Sequence, residues 1–327
     1  MTHHSIDRHR PMRLAFFGSG AFGVPTLSAL AGRHEVVLVL SQPDRPAGRG
    51  GKPTPTPISS LALERGLRLT RVEDVNEGGS CRDIRSATEG VDALVVIAFG
   101  QKLGEELLDD RFAINLHASL LPRWRGAAPI HAAILAGDTE TGNSVITLAQ
   151  RMDAGLVLGR QRTPILATDT TGELHDRLAL MGPELVRDVL EQHLAGTLAG
   201  EPQDPAMVTR ARKLTKADGV PNFRREAIEC VRQIHALNPW PTVTASLRGE
   251  PLKLLRAAAE EDRLENPDGA EQGTIVDATR GLVACANATA MRLVEVHPAG
   301  KRAMPWADFA RGRGVRHGER LGVPSTP

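Results

Sequence analysis

The sequence predicts an α/β protein with two domains: an open, mostly parallel sheet with helices on both faces, and then a smaller β-barrel. Up to Leu194, apolar runs that resemble strands alternate with helical stretches, the pattern of βαβ units. After Lys216 the sequence changes to short segments of alternating apolar and polar residues, separated by Gly, Pro, Asn and Asp, which is typical of a small barrel. The 327 residues are enough for two cores of ordinary size.

The N-terminal part contains six segments that are expected to be strands: 13–17, 36–40, 68–70, 92–100, 113–117 and 144–149. Helices are expected over 24–33, 57–66 and 128–137, and from Thr171 to Leu194, where apolar residues recur at steps of three or four. The run at 92–100 is apolar throughout, as in a parallel strand that is covered on both faces. We therefore predict a Rossmann-like domain over residues 12–198, preceded by a disordered tail at 1–11.

The C-terminal part begins after a stretch without periodicity. Residues 199–215 contain Gly and Pro and are predicted to be a linker. In residues 216–327 one helix is expected over 224–237, and strands are expected over 242–247, 252–257, 273–279, 281–286 and 291–296. Short strands at this spacing predict a β-barrel of the OB-like kind.

Composition excludes several classes of protein. No apolar run approaches the length of a membrane span, and the polar N-terminus lacks the apolar stretch of a secretory signal. Its three histidines are more simply a solvated tail than a metal site. The three cysteines, Cys81, Cys230 and Cys285, lie far apart, which argues against a disulfide framework and a zinc site. A cytoplasmic protein is expected.

Charge is distributed unevenly along the chain, although the net charge is only +1. Residues 205–327 hold 19 Lys and Arg against 14 Asp and Glu, whereas residues 1–204 hold 21 against 25. A basic second half is what neutralisation of nucleic-acid phosphates requires. Taken alone the signal is weak, because many domains that bind no nucleic acid carry such an excess.

Three glycines follow the first strand with the spacing of a dinucleotide-binding turn, G-x-G-x-x-G: Gly18, Gly20 and Gly23. The acidic residue expected at the end of the second strand is missing, because Ser41 stands at the tip and Asp44 lies beyond a proline. A tight chain reversal explains the glycines equally well. We therefore expect no NAD.

The segment that is richest in chemistry is 115–126, which begins Asn115-Leu116-His117. Asn115 and His117 are two apart at the end of a predicted parallel strand, so their side chains point to the same side, at the edge where open α/β sheets bind ligands. An amide and an imidazole aimed at one spot suit acyl-type transfer, in which one stabilises an oxyanion and the other moves protons. Asp153 follows the next strand in the sequence Met-Asp-Ala-Gly. A satisfied pair at a strand end is the alternative reading.

The stretch from 113 to 146 resembles the signature segment of folate-dependent formyltransferases. The loop QPDRPAGRG (42–50), LNPWP (237–241) and HPAGKRAM (297–304) resemble the family members that move the formyl group of 10-formyltetrahydrofolate to the amino group of initiator methionyl-tRNA. These are four motifs in the right order, and two of them lie in the second domain. The resemblance spans residues 12 to about 320.

The resemblance implies site residues and partners. Asn115, His117 and Asp153 correspond to the family's catalytic trio. The folate is expected against Ser119, Leu120, Leu121 and Pro122, with its pteridine near the strand that carries Val96 and Phe99. Contacts to the tRNA are expected from Arg45, Arg49 and Lys52 in the loop 43–57, and from Arg123 and Arg125. No metal is required, and a monomer is expected.

Alternative readings remain at this stage. A sugar-amine or glycinamide formyltransferase, or a formylfolate hydrolase, would share the same trio but would not explain the basic loop and the basic second half. A nicotinamide oxidoreductase would use the glycines, and a non-enzymatic RNA-binding module would leave the trio without a role. The loop 43–57 also reads as a plain solvated loop, and Trp124 either stacks on substrate or is partly buried.

Overall fold

The computed structural model describes residues 10–47, 51–262 and 270–323. Its strands are β1 (Arg13–Gly18), β2 (Glu35–Ser41), β3 (Arg45–Ala47), β4 (Lys52–Thr54), β5 (Leu69–Arg71), β6 (Ala93–Ile97), β7 (Ala113–His117), β8 (Arg125–Gly126), β9 (Glu140–Thr147), β10 (Val157–Pro164), β11 (Arg210–Ala211), β12 (Val243–Leu247), β13 (Glu250–Ala259), β14 (Ile275–Asp277), β15 (Leu282–Ala284), β16 (Ala290–Pro298), β17 (Met304–Pro305) and β18 (Leu321–Gly322). Its α-helices are α1 (Val24–Ala31), α2 (Pro57–Glu64), α3 (Gly78–Ala87), α4 (Glu105–Leu108), α5 (Pro129–Ala136), α6 (Thr171–Leu194), α7 (Ala227–Ala236) and α8 (Trp306–Arg313).

The described residues form two compact units. The first comprises those up to Gly126 together with Thr141–Thr163 and His175–Arg210. The second comprises Ala127–Glu140, Pro164–Leu174 and the described residues from Ala211 onward. The domain boundaries expected at 198 and 216 stay a prediction.

The first unit is built on a seven-stranded sheet in the order β10-β9-β7-β6-β1-β2-β5. Strands β5, β2, β1, β6 and β7 run parallel to their neighbours, and β9 is antiparallel to β7. The order reverses between β1 and β6, so the carboxyl ends of the central strands flank a topological switch point. The predicted open, mostly parallel sheet is confirmed, and its carboxyl edge is the place where a ligand is expected.

The first βα turn shows why its glycines are needed. A Cβ on Gly18 would lie 2.8 Å from the backbone oxygen of Ile97 on β6, so the turn is packed against its neighbouring strand. The backbone N–H groups of Ser19 and Gly20 donate to the carbonyl of Ala98, at 3.2 and 3.1 Å. Close chain packing therefore accounts for the glycine spacing without a dinucleotide. Asp44 lies beside Arg71, 2.7 Å from its Nε atom.

The second unit contains the predicted β-barrel. Its strands follow the order β14-β15-β16-β13-β12-β18, with β17 beside β16, and the pairs in this sheet are antiparallel. A bridge between Thr274 and Arg320 joins the two ends of this order, which nearly closes the barrel. Apolar side chains from the strands, α7 and α8 fill one core, with Trp306 among the most buried. The barrel prediction is confirmed.

The structure also shows the state of the cysteines and bears on metal-binding and membrane-spanning features. The three cysteines are buried and form no disulfide. In the part of the chain that the structure describes, no three His, Cys, Asp or Glu side chains converge as metal ligands would. Among the same residues, no helix combines the length and the apolar character that crossing a membrane requires.

An ion pair fastens the start of α6 to the barrel sheet within the second unit. Glu173 accepts from the backbone N–H and hydroxyl of Thr170, at 3.0 and 2.8 Å, and lies 2.6 Å from the Arg256 guanidinium on β13. The hydrogen bond from Arg256 is the main reason that the pKa of Glu173 is lowered from 4.5 to about 2. A carboxylate whose pKa is depressed on folding stabilises the fold above the pKa of the unfolded chain and loses that contribution as pH falls toward its folded value.

We therefore expect Glu173→Gln to lower the free energy of unfolding at pH 7 by about 1 kcal/mol, a value kept small because the pair is partly exposed to water. The difference from the unsubstituted protein should shrink as pH falls from about 4.5 to about 2. Urea unfolding at several pH values measures it. Glu64→Gln at an exposed helix position is the control, and a loss at Glu173 that stays constant with pH would contradict the assignment.

Candidate active site

Asn115 and His117 lie together on β7, at the carboxyl edge of the parallel part of the sheet. Asn115 pairs with Val96 of β6 on one side and with Ile146 of β9 on the other, so the strand is held between two neighbours. The two side chains share a face of the sheet because they are two residues apart. Within the described chain, the side-chain amide of Asn115 makes no hydrogen bond, which leaves its N–H groups available to a substrate.

His117 is almost fully buried, at 7% exposure, and both of its ring nitrogens face acceptors. Its Nε2 lies 2.9 Å from the backbone oxygen of Trp124, and its Nδ1 lies 3.7 Å from Oδ1 of Asp153. A carbonyl and a carboxylate can only accept hydrogen bonds. The Trp124 carbonyl therefore fixes Nε2 as the donor of a hydrogen bond, and Nδ1 faces the carboxylate at ion-pair distance.

The loop that carries Asp153 is fixed by several contacts. Asp153 has a positive φ of 55°, a conformation that non-glycine residues rarely adopt. Its Oδ2 accepts from the backbone N–H of Gly126 at 2.8 Å, and the backbone oxygens of Asp153 and Gly155 both accept from Nε2 of Gln203 at 2.8 Å. A Cβ on Gly155 would lie 1.8 Å from the backbone oxygen of Thr147, so this position has no room for a side chain.

The turn Ser119–Pro122 is held from below by Ser144. The Ser144 hydroxyl donates to the backbone oxygen of Ser119 at 2.7 Å and accepts from the backbone N–H of Leu121 at 3.0 Å. The peptide bond before Pro122 is cis. Ser119 and Leu121 are buried, whereas Leu120 and Pro122 are half-buried, so only the latter two present side-chain surface to a ligand. The expected folate contacts of this turn stay a prediction.

An open cleft of about 910 Å³ lies beyond the carboxyl end of β6, beside the loop that leads to Asp153. It is lined by Lys102, Leu103, Gly104, Glu105, Glu106, Leu108, Asp109, Asp110, Leu148, Ala149, Gln150 and Arg151. Val96 and Phe99, which the sequence pointed to, are instead buried in the apolar core beside it, at 6% and 2% exposure. Their predicted contact with the folate stays a prediction, and among the apolar lining residues Leu108 and Leu148 are half-buried, whereas Leu103 is buried with them.

Arginines gather next to the carboxylate. Burial, and then the positive charge of Arg151, lower the pKa of Arg125, an effect that Asp153 opposes and Arg210 adds to. The Arg123 guanidinium lies over the ring of Trp124, 4.8 Å from its centre. Trp124 is half-buried, as the plainer of the two sequence interpretations had it. This concentration of positive charge suits a phosphate-bearing substrate.

The loop 43–57 contains the hairpin of β3 and β4, in which Arg45 pairs with Thr54 and Ala47 with Lys52. Arg45 and Lys52 are both exposed. Arg45 forms a surface ion pair with Glu73 at 2.9 Å, which is weak enough to be exchanged for a phosphate. Arg49 lies outside the described residues. The three tRNA contacts of this loop stay predictions.

The sequence reasoning missed two groups of residues at this site. Leu103 follows the predicted strand 92–100, and Leu148 lies near the end of the predicted strand 144–149, so the carboxyl-edge rule could have pointed to both. Gln203 lies 50 residues from Asp153 in a polar segment that was read as linker, and no local pattern marks it.

Family comparison covers most of the chain. A family model described as formyl transferase matches residues 12–190, and one described as formyl transferase, C-terminal domain, matches residues 213–314. The chain is 41% identical over 315 residues to a methionyl-tRNA formyltransferase of Methylococcus capsulatus, covering 95% of this chain and 100% of that one. It is 40% identical over 307 residues to a methionyl-tRNA formyltransferase of Pseudomonas fluorescens, covering 93% and 94%.

Solved structures share the fold at lower identity. WlaRD, a sugar 3N-formyl transferase crystallised with dTDP and 5-N-formyl-THF, superposes with a TM-score of 0.65 at 13% identity, covering 90% of this chain and all of that one. HypX from Aquifex aeolicus in complex with tetrahydrofolic acid gives a TM-score of 0.62 at 15% identity, covering 97% of this chain and 51% of that one.

Proposed function

The chain belongs to the formyl transferase family, and on that basis we propose that it transfers the formyl group of 10-formyltetrahydrofolate to the amino group of initiator methionyl-tRNA. The observation that carries the proposal is identity of about 40% along almost the whole length of relatives named for this activity. The convergence of an amide, an imidazole and a carboxylate at the carboxyl edge supports it, because formyl transfer needs a site of this kind.

Each of the three side chains has a distinct role in the proposed reaction. The amine nitrogen forms a bond to the formyl carbon while the carbonyl oxygen gains negative charge, which the Asn115 amide stabilises by hydrogen bonding and a protonated His117 stabilises by its positive charge. Asp153 holds His117 through its Nδ1 side and accepts the proton that the amine loses. The bond from the formyl carbon to the folate nitrogen then breaks, and that nitrogen takes up a proton.

The folate fits the cleft beside the Asp153 loop. A volume of about 910 Å³ accommodates a ligand of this size, and ligand pockets of several hundred Å³ are usual. Leu108 and Leu148 offer apolar surface to a flat ring. The Gln150 side chain and the acidic groups along the rim offer acceptors for the amino and N–H groups of a pteridine. When bound, the folate supplies an activated formyl carbon.

The tRNA is expected to meet the positive charge near the site. Arg123, Arg125, Arg151 and Arg210 can neutralise phosphates of an acceptor end, and Arg45, Arg49 and Lys52 of the loop 43–57 extend this to a longer stretch of backbone. The excess of Lys and Arg after residue 205 suits the same partner. We further propose a monomer that acts in the cytoplasm, because the reducing conditions there keep cysteines as free thiols.

The direct test offers the protein 10-formyltetrahydrofolate and three acceptors: initiator methionyl-tRNA, elongator methionyl-tRNA and free methionine. We expect N-formylmethionyl product with the initiator alone, separated from methionine by chromatography after deacylation. Formate release without an acceptor would mark a hydrolase, and formylation of free methionine would mark an enzyme that does not read tRNA. Either result would contradict the proposal.

A further inference from the structure

Gln203 is the one half-buried residue in the otherwise exposed run from Gly200 to Met207. The start of this run is fastened to β10, because Glu201 and Val157 exchange backbone hydrogen bonds of 2.8 Å in both directions. From this anchored position the Gln203 side chain turns inward to the Asp153 loop. An ordered side chain within an exposed segment calls for a local explanation.

The side-chain amide of Gln203 makes three hydrogen bonds, two through Nε2 and one through Oε1. Its Nε2 donates to the backbone oxygens of Asp153 and Gly155, both at 2.8 Å, and its Oε1 accepts from Nε of Arg125 at 2.9 Å. An Arg side chain can only donate and a carbonyl can only accept, so the amide orientation is unambiguous. Arg125 thereby holds the amide in the one orientation that reaches both carbonyls.

These contacts close a ring around the carboxylate. The residue after Arg125 is Gly126, whose backbone N–H donates to Oδ2 of Asp153 at 2.8 Å. The backbone of Asp153 and its carboxylate are therefore tied to the same short strand, one through Gln203 and the other directly. Asp153 also sits at a φ of 55°, which its surroundings must enforce because the conformation is unfavourable for an aspartate.

We propose that Gln203 is a positioning residue for the formyl transfer, which sets the place of the Asp153 carboxylate beside His117 by clamping the backbone on either side of Ala154. The inference rests on the proposed function, since it assigns Gln203 a part in that reaction. Gln203 touches neither substrate nor reacting atoms. Of the three catalytic residues, only Asp153 shares its hydrogen bonds; its third partner, Arg125, is a proposed tRNA contact and not a catalytic residue.

The chain offers a matched control. Gln233 makes the same kind of clamp in the second unit, where its Nε2 donates to the backbone oxygens of Asp218 and Val220 at 3.0 and 2.9 Å. Replacement of either glutamine by methionine keeps the length of the side chain and removes its hydrogen bonds. Gln203→Met and Gln233→Met each lose two hydrogen bonds to backbone oxygens, Gln203→Met also loses the bond from Arg125, and only the first variant lies at the site.

We expect Gln203→Met to lower kcat by tenfold to about a hundredfold, the scale of a small misplacement of a catalytic group. KM for the folate should stay within about twofold, since Gln203 does not line the cleft, and KM for the tRNA should rise by no more than a few-fold, because Arg125 keeps its charge and loses only one acceptor. Gln233→Met should leave kcat within about twofold. In an Asp153→Asn background, followed in single turnovers, Gln203→Met should cause no further loss, because a residue that acts only through Asp153 has nothing left to position.

Three results overturn the inference while leaving the proposed function intact, and the first two are a kcat for Gln203→Met equal to that of Gln233→Met and a loss that multiplies with that of Asp153→Asn. A rise in both KM values with kcat unchanged would also overturn it, since that is the sign of a binding role. Absence of any formyl transfer by the unsubstituted protein overturns the proposed function and the inference together. The unsubstituted arm separates these cases.

Discussion

Replacing His117 with alanine is expected to lower kcat about a thousandfold, or about 4 kcal/mol of barrier. The imidazolium stabilises the oxyanion by its positive charge and faces the Asp153 carboxylate that takes the proton, so its removal affects both groups, and one such stabilising group alone is worth about two orders of magnitude or more. KM for the tRNA should change little, because the ring is buried beneath the reacting centre and bears no phosphate contact. Single-turnover formylation of initiator methionyl-tRNA measures the effect.

A second histidine provides a control that distinguishes loss of a catalytic group from the general effect of removing an imidazole. His175 on α6 also lies beside a carboxylate, with its Nδ1 2.9 Å from Oδ1 of Asp176, but the pair is at the surface. His175→Ala should therefore leave kcat within about twofold. Circular dichroism of both variants checks that they are folded. Comparable activity of the two alanine variants would remove His117 from the mechanism.

The parallel sheet could be predicted because its signals are local. Buried strands such as β6 read as continuous apolar runs, and α6 shows its apolar face at steps of three or four. Other elements carry no such signal. Helix α3 starts with two glycines and buries only Cys81 and Ile84, and it relies on a Glu77 cap that bonds the N–H groups of residues 79 and 80. Strand β10 is polar along most of its length and was missed for the same reason.

The site likewise contains residues that the sequence predicts and one that it does not. Period-two geometry places Asn115 and His117 on one face of a strand, so their proximity follows from the sequence alone. The sequence offers Asp153 as a carboxylate after the next strand, and family resemblance assigns it to the site. The structure brings its carboxylate to 3.7 Å from the ring. Gln203 could not be found in advance, because a hydrogen bond across 50 residues depends on how distant segments fold together. The periodicity of apolar residues predicts local structure but does not predict hydrogen bonds between distant segments.

The second large effect is expected from a single methyl group, in the variant Gly155→Ala. Its Cβ would lie 1.8 Å from the backbone oxygen of Thr147 and 2.7 Å from its hydroxyl oxygen. A strand backbone cannot move aside as a side-chain tip can, so the loop itself must shift and must carry Asp153 with it. We expect kcat to fall about a hundredfold, the scale of a displacement of about 1 Å at a catalytic group. The free energy of unfolding should fall by about 1–3 kcal/mol.

Gly159→Ala, four residues further along the chain, is the matched control. There the added methyl would meet Cδ1 of Leu185 at 3.0 Å and Cγ2 of Val189 at 3.3 Å, both of them tips of side chains that can rotate away. The same chemical change should therefore cost little activity. If Gly155→Ala kept a normal kcat despite its loss of stability, the exact place of the Asp153 loop would be unimportant to the reaction. A fall in kcat at 155 alone would instead mean that catalysis depends on how closely this loop packs against β9, which no inventory of the reacting side chains would reveal.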